Sequence, residues 1–81
     1  MKRQYTNRMI LDMEALKKII LTVADEEPTS CYDLRSKIFE TYKLRAFNAL
    51  CDMDCALYCL CKEGKMIMTE DKEVGWLYSK I

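Results

Sequence analysis

Apolar residues at helical spacing predict a first helix that starts after Asp12. Its inner face is expected at positions i, i+3, i+4 and i+7. These positions are Leu16, Ile19, Ile20 and Val23. Asp12 is a suitable N-cap, because its carboxylate can accept hydrogen bonds from the first free backbone N–H groups. The polar turn at residues 25–27 and the following Pro28 end the pattern, since proline interrupts helices.

A second helix is predicted from Ser30 to Tyr42. Ser30 and Asp33 have the spacing of a capping box, which marks a helix start. The apolar stripe that follows is Cys31, Leu34, Ile38 and Tyr42. Residues 43–48 are then consistent with two alternatives, a loop that carries Phe47 into the core or the first turns of a long third helix.

In either case a third helix covers Met53 to Lys62. Its inner face is expected to consist of Met53, Ala56, Leu57 and Leu60. Gly64 is suited to the left-handed position that ends a helix. Residues 66–69 and 76–78 are β-prone, and the charged residues 70–75 between them predict a hairpin loop of about six residues.

The order helix, helix, helix, hairpin is that of the winged helix, a mainly α fold of class α+β. In this plan three helices are followed by a two-stranded wing, and the third helix can lie in the major groove of DNA. Eighty-one residues are enough for one domain, so we expect a single winged-helix domain over residues 1–81. Residues 1–10 are expected to form a polar N-terminal arm.

Composition limits the choice of partners. No apolar run approaches the ~18 residues of a membrane span, and no signal-peptide core follows the polar N-terminus. We therefore expect a cytoplasmic protein with no membrane partner. The 13 basic and 13 acidic residues give a net charge of zero. Domains that bind DNA phosphates usually carry a basic excess, so this balance disfavours DNA binding unless a basic face coexists with an acidic one.

Five cysteines and no histidine are present. No pair has Cys-x-x-Cys spacing, and Cys51, Cys55 and Cys59 follow one another along a single helix, where they cannot surround a tetrahedral ion. We expect reduced thiols that pack as small apolar side chains, with no metal and no cofactor. Without histidine, a nucleophile elbow or a Gly-rich phosphate loop, the chain is not expected to be an enzyme.

Two stretches resemble the PadR family of transcriptional regulators. Cys31-Tyr32-Asp33-Leu34 stands where that family has Gly-Tyr-Asp/Glu-Leu at the start of the second helix. Residues 56–67 are similar to its Ala-Leu-x-x-Leu-x-x-x-Gly-x-Ile recognition-helix end. The resemblance implies a transcriptional regulator that binds double-stranded DNA. The family dimerises through a further C-terminal helix, which has no counterpart up to Ile81, so we expect any homodimer to use another element such as the N-terminal arm.

A second resemblance is to Z-form nucleic-acid-binding winged helices. Tyr58 and Trp76 match the tyrosine of that family's third helix and the tryptophan of its wing. Asp54 stands at its Asn position, and Glu73-Val74 replaces its Pro-Pro pair. From the residues themselves, we expect Trp76 and Tyr78 to pack the wing against the core.

The residues expected to contact DNA are basic side chains and one amide. They are Arg35, Lys37, Lys43, Arg45, Asn48, Lys65 and Lys72. No Arg or Lys lies between Leu50 and Cys61, although a recognition helix normally presents such residues to bases and phosphates. Asp52 in this helix is expected to be its N-cap.

Two main functions therefore stay open, beside the Z-form nucleic-acid binding that the second resemblance implies. The first is a small DNA-binding regulator of PadR-like type. The alternative is a winged-helix module that binds a protein instead of DNA through the third helix and the wing, for example an inhibitor of phage type. A continuous basic stripe from Lys43 and Arg45 to Lys65 and Lys72 favours the first, and an acidic or apolar face favours the second.

Overall fold

The structure is a computed structural model that describes residues 7–81. Its elements in chain order are β1 (Asn7–Met9), α1 (Met13–Val23), β2 (Thr29–Ser30), α2 (Cys31–Tyr42), β3 (Leu44–Phe47), α3 (Leu50–Lys62), β4 (Met66–Asp71) and β5 (Gly75–Lys80). These residues thus form a small α+β domain with three helices, a three-stranded antiparallel sheet and a two-stranded parallel pair. None of the helices within residues 7–81 has the length and apolar character needed to cross a bilayer.

The helix ends follow from local hydrogen bonding. Asp12 caps α1 by accepting from the Ala15 N–H at 2.9 Å, and Ser30 caps α2 by accepting from the Asp33 N–H at 3.1 Å, as the sequence predicts. The N-cap of α3 is Ala49, so the expectation that Asp52 fills this position is wrong. Asp52 lies in the first turn of α3, where its charge interacts favourably with the helix dipole.

Gly64 ends α3 in the way expected. Its φ of +77° is left-handed, its N–H donates to the Cys61 carbonyl at 3.1 Å, and the Lys65 N–H donates to the Leu60 carbonyl at 2.9 Å. These paired bonds form a Schellman motif, which satisfies carbonyls that the helix end leaves without partners. The chain therefore turns sharply from α3 into β4.

The antiparallel sheet has the order β2-β5-β4. In the hairpin Asp71 pairs with Gly75, so the loop consists of residues 72–74 and the expected loop of about six residues is wrong. Asp71 Oδ1 accepts from the N–H groups of Glu73 and Val74 at 2.8 and 3.1 Å, and Gly75 takes a φ of +94°. The aspartate and the glycine thus allow a tight turn that extends both strands by comparison with the sequence prediction.

Two pairings were not anticipated. β2, in the α1–α2 connection, pairs with β5, so Thr29 lies opposite Tyr78 and Ser30 opposite Leu77. β1 pairs in parallel with β3, which places residues 7–9 of the expected N-terminal arm in a strand. Residues 1–6 of that arm, including Lys2 and Arg3, lie outside the described residues.

The connection between α2 and α3 carries Phe47 into the core and is not an extension of the helix. Lys43 ends α2 with a left-handed φ of +53°, and β3 follows. Phe47 is buried and meets Phe39 edge to face, with ring centroids 6.0 Å apart. Of the two alternatives for residues 43–48, the loop that carries Phe47 into the core is therefore closer to the structure than a longer third helix.

The described residues share one hydrophobic core. Its centre is the inner face of α3, where Met53, Ala56, Leu57 and Leu60 are all fully buried, as predicted. α3 packs against α1, α2 and β4. The most deeply buried residues of the other elements are Leu16, Ile20, Leu34, Ile38 and Leu44.

Asn48 joins three parts of the fold. It is only 4 % exposed, its Oδ1 accepts from the Leu11 N–H at 2.8 Å, and its Nδ2 donates to the Leu11 carbonyl at 2.8 Å. Its own carbonyl accepts from Arg35 Nε at 2.6 Å. Asn48 therefore holds the chain before α1 against the segment that leads into α3.

We predict that Asn48→Ala lowers the free energy of unfolding by about 2 kcal/mol or more, because it leaves the peptide groups of Leu11 without partners in a largely buried site. Asn7→Ala is the matched control. Asn7 is exposed and donates only to the Tyr42 carbonyl at 3.1 Å, so its loss should change stability by less than about 1 kcal/mol. Urea unfolding followed by circular dichroism measures both values, and equal effects would contradict this role of Asn48.

Lys17 of α1 forms ion pairs across the fold. Its Nζ lies 2.6 Å from Glu63 and 3.2 Å from Glu14, with the Lys17 side chain only 12 % exposed. The hydrogen bond from Lys17 lowers the pKa of Glu63 below its ordinary value of 4.5, and the same bond raises the pKa of Lys17. α1 and the C-terminus of α3 are thus linked at the surface.

We predict a pH-dependent loss of stability in Glu63→Gln. A lowered carboxyl pKa stabilises the fold fully above 4.5, and this contribution disappears as the pH falls through the lower pKa of the folded state. The melting temperature of Glu63→Gln should therefore lie below that of the wild type at pH 7 and converge with it in acid. Glu26→Gln, which alters an exposed turn carboxylate, is the control; a gap that widens in acid would contradict the prediction.

Candidate interaction face

The basic residues of α2 make contacts within the fold. Arg35 is partly buried, bonds to the Asn48 carbonyl at 2.6 Å, and places its guanidinium 4.9 Å from the centre of the Phe39 ring. Lys37 is exposed and pairs with Asp25 at 3.3 Å. Arg35 was expected to contact DNA, and its position instead makes it part of the packing between α2 and the segment that leads into α3.

The other expected DNA contacts lie in separate places. Lys43 and Arg45 are exposed before the start of α3, whereas Lys65 follows its end and pairs with Glu63 at 3.6 Å. Lys72 is exposed in the hairpin loop. The 13 residues of α3 separate the first pair from Lys65 by roughly 20 Å of helix. No basic side chain lies between Leu50 and Cys61, so a basic stripe along α3 is absent.

Asn48, the amide expected near a base edge, is one of the two buried polar residues among residues 7–81. Both ends of its side chain bond to Leu11. A base could reach this amide only if those bonds were broken. Asn48 therefore has a structural role, which is to hold the Leu11 backbone in place.

The outer side of α3 faces a groove that the hairpin and the start of α2 complete. We call it the aromatic groove, with a volume of about 280 Å³. Its lining is Ser30, Cys31, Tyr32, Leu50, Asp54, Val74, Trp76 and Tyr78. Leu50 and Asp54 are four residues apart and therefore share one face of α3. The β2–β5 pairing brings the start of α2 beside Trp76 and Tyr78.

Several apolar side chains of this groove are exposed to solvent. Tyr32 is 65 % exposed, Val74 61 %, Trp76 48 % and Leu50 40 %. The expectation that the wing aromatics pack on the core is confirmed for Tyr78, which is buried, and wrong for Trp76. Contiguous exposed apolar surface of this kind often marks a site of interaction.

The charge within the aromatic groove is negative. Burial, together with hydrogen bonding to Asp54 and its negative charge, raises the pKa of the Cys31 thiol to about 12. Burial and the charge of Asp54 also raise the pKa of Tyr78. Both groups are therefore neutral near pH 7, and Asp54 is the charged residue of the lining.

The cysteines differ in environment. Cys31, Cys59 and Cys61 are partly buried, in line with a packing role, and burial raises the pKa of Cys61. Cys51 and Cys55 are exposed, so the expectation of packing thiols is wrong for these two. Within residues 7–81 no group of three or more His, Cys, Asp or Glu side chains is arranged to hold a metal ion.

The sequence contains one signal for the groove that does not involve basic residues. Leu50, Asp54 and Tyr58 recur at intervals of four, on the flank of α3 beside its buried residues, and all three are exposed. This outer stripe combines apolar and acidic groups. Tyr32 and Val74 could not have been assigned to the same site, because the unanticipated β2–β5 pairing and the short hairpin loop bring them there.

We predict that Cys31 reacts with iodoacetamide at pH 8 at least about tenfold more slowly than Cys51 or Cys55, because a thiol with a pKa of about 12 is almost entirely protonated. Asp54→Asn should accelerate the reaction at Cys31, since it removes a negative charge that disfavours the thiolate. Peptide mass mapping gives the rates, and the unfolded chain, in which these differences should vanish, is the control. Fast labelling of Cys31 in the native chain would contradict its place in the groove.

Comparisons of the chain with protein-family models, with curated proteins and with solved structures find no match. The resemblances to the PadR family and to Z-form nucleic-acid-binding domains therefore stay predictions.

Proposed function

We propose that this chain is a winged-helix interaction module that binds a protein partner through the aromatic groove. The observation that carries the proposal is the composition of the groove, in which exposed aromatic and aliphatic side chains surround one carboxylate and no basic residue takes part. Under the criterion set by the sequence, such a face favours protein binding over DNA binding.

The fold supports the winged-helix part of the proposal. Three helices precede a hairpin, and the hairpin lies beside the outer face of α3 as a wing lies beside a recognition helix. In a DNA-binding winged helix, this surface is where basic and amide side chains meet phosphates and base edges. Here the outer stripe presents Leu50, Asp54 and Tyr58. A phosphate backbone would be repelled by Asp54 and by the nearby Asp52.

The exposed side chains are of the types that dominate protein interfaces. Tryptophan and tyrosine are over-represented among the residues that contribute most to binding, because they bury a large area with few rotatable bonds. Trp76 and Tyr32 stand on different elements, across the groove that they line. A partner segment in this groove would contact both and remove their exposed surface from water, which is favourable.

Duplex DNA binding by a PadR-like regulator is the second candidate. Arg8 and Arg45 favour it, because both are exposed on the paired strands β1 and β3, which precede α1 and α3. This would be a contact through the strand pair and the hairpin loop instead of α3. Such binding would depend mainly on phosphate contacts and would weaken steeply with salt.

A salt titration separates the two candidates. We expect the wild-type chain to show no binding to a fluorescein-labelled random duplex at about 50 mM salt, measured by fluorescence anisotropy. Asp52→Lys/Asp54→Lys is the positive control, because it replaces two negative charges of α3 with positive ones and should produce salt-sensitive binding. Salt-sensitive binding by the wild type that Arg45→Ala weakens would overturn the proposal in favour of DNA.

Site-specific photocrosslinking tests the protein partner directly. We expect p-benzoylphenylalanine at position 32 or 76 to give a discrete crosslinked protein in the cells that express the chain. The same group at position 18, on the exposed side of α1, should not give that product. Val74→Arg, which introduces a long cation at the groove, should abolish the crosslink. A product that persists in Val74→Arg, or forms equally from position 18, would contradict the proposed site.

A further inference from the structure

We infer that the aromatic groove recognises a cationic side chain, an arginine or a lysine, of the partner. This inference rests on the proposed function and names the chemistry of the contact. The geometry behind it is a set of three aromatic side chains, Tyr32, Trp76 and Tyr78, that line one groove together with the carboxylate of Asp54.

Aromatic rings and a carboxylate in one concavity form a site for positive charge. A cation over an aromatic face is attracted by the negative potential of the ring, and tryptophan gives the strongest attraction. A carboxylate adds a direct charge interaction and accepts hydrogen bonds from ammonium or guanidinium groups. An anionic ligand would meet Asp54, and a purely apolar ligand would leave that carboxylate poorly solvated.

Asp54 is not neutralised by the described part of the chain. The ion pairs within residues 7–81 include those of Lys17 with Glu14 and Glu63, of Lys37 with Asp25, and of Lys65 with Glu63, and none of these includes Asp54. Arg35 is close enough to act on Cys31 electrostatically. Its side chain donates to the Asn48 carbonyl and its guanidinium lies over the Phe39 ring, so Arg35 does not form an ion pair with Asp54.

The same fold shows how cations and rings pair when both belong to the chain. Arg35 lies 4.9 Å from the centre of the Phe39 ring, and Lys62 Nζ lies 5.7 Å from the centre of the Tyr58 ring. Within residues 7–81 no such pair involves Tyr32, Trp76 or Tyr78. The groove thus presents the aromatic half of this interaction to an incoming group.

The size of the groove limits what can enter. Its volume of about 280 Å³ corresponds to roughly nine water molecules at ~30 Å³ each, which is room for one long side chain. The occupant is therefore a single projecting side chain of the partner.

The test uses Trp76, which is the only tryptophan of the sequence, as its own fluorescent probe. The full chain is titrated with N-acetyl-arginine amide and with N-acetyl-lysine amide at constant ionic strength. N-acetyl-norleucine amide is the neutral control of comparable length. We expect a saturable change in Trp76 fluorescence with at least one of the two cationic amides and none with norleucine. Which cation binds more tightly identifies the preferred side chain.

Variants then separate charge from ring contacts. Asp54→Asn should weaken binding of the cationic amide about three- to tenfold, and Tyr32→Leu should weaken it while keeping the groove apolar. Asp52→Asn is the matched control, because Asp52 lies two residues away on the same helix, outside the groove lining, and should leave the affinity unchanged. Melting temperatures of all three variants confirm that each is folded.

Three outcomes of the titrations overturn the inference: binding of norleucine as tight as that of the cations, equal effects of Asp54→Asn and Asp52→Asn, or no saturable change with either cation. A change in wild-type fluorescence on dilution without any amide also overturns it, since a second copy of the chain would then fill the groove. These failures are distinct from failure of the proposed function. If groove-dependent photocrosslinks persist, the protein partner stands and only its cationic contact is wrong.

Discussion

Complete burial of one side of α3 is the constraint on which the rest of the fold depends. Met53, Ala56, Leu57 and Leu60 lose all contact with solvent because α1, α2 and β4 cover them together. Each of these residues, if shortened, would leave a cavity that the surrounding helices could fill only in part. The opposite side of α3 carries no such requirement, and its composition can therefore follow the needs of binding.

The position of the hairpin depends on the end of the same helix. The Schellman motif at Gly64 turns the chain directly into β4, and β2 then fixes β5 from its other edge. The start of α2, the first half of α3 and the hairpin thus belong to one continuous set of contacts. The aromatic groove lies where these three parts meet, so its shape follows from the packing of the whole domain.

The sequence predicted those features that depend on local patterns. The buried positions of α3, the caps Asp12 and Ser30 and the left-handed Gly64 each follow from spacing or from the conformational preference of one residue. Features that depend on long-range pairing were missed. β2 contains only Thr29 and Ser30, and two residues give no detectable alternation. The β1–β3 pair joins segments that are far apart in the chain.

The site shows the same division between local and long-range information. Charge alone identified the basic residues, but it could not show that Arg35 bonds to a backbone carbonyl or that the amide of Asn48 faces Leu11. The sequence also could not show that Trp76 is exposed, because the alternation of residues along β5 does not tell which side of the hairpin is covered. The groove became visible only when residues from three elements were placed together.

The short loop of the hairpin has a consequence for the thermodynamics of recognition. Asp71 fixes the backbone of Glu73 and Val74 through its carboxylate, and Val74 and Trp76 lie on either side of Gly75 in the groove lining. A loop of three residues with these bonds has little conformational entropy left to lose when a partner arrives. Asp71, which lies outside the groove lining, would thus contribute to affinity for the proposed partner through preorganisation and not through any contact of its own.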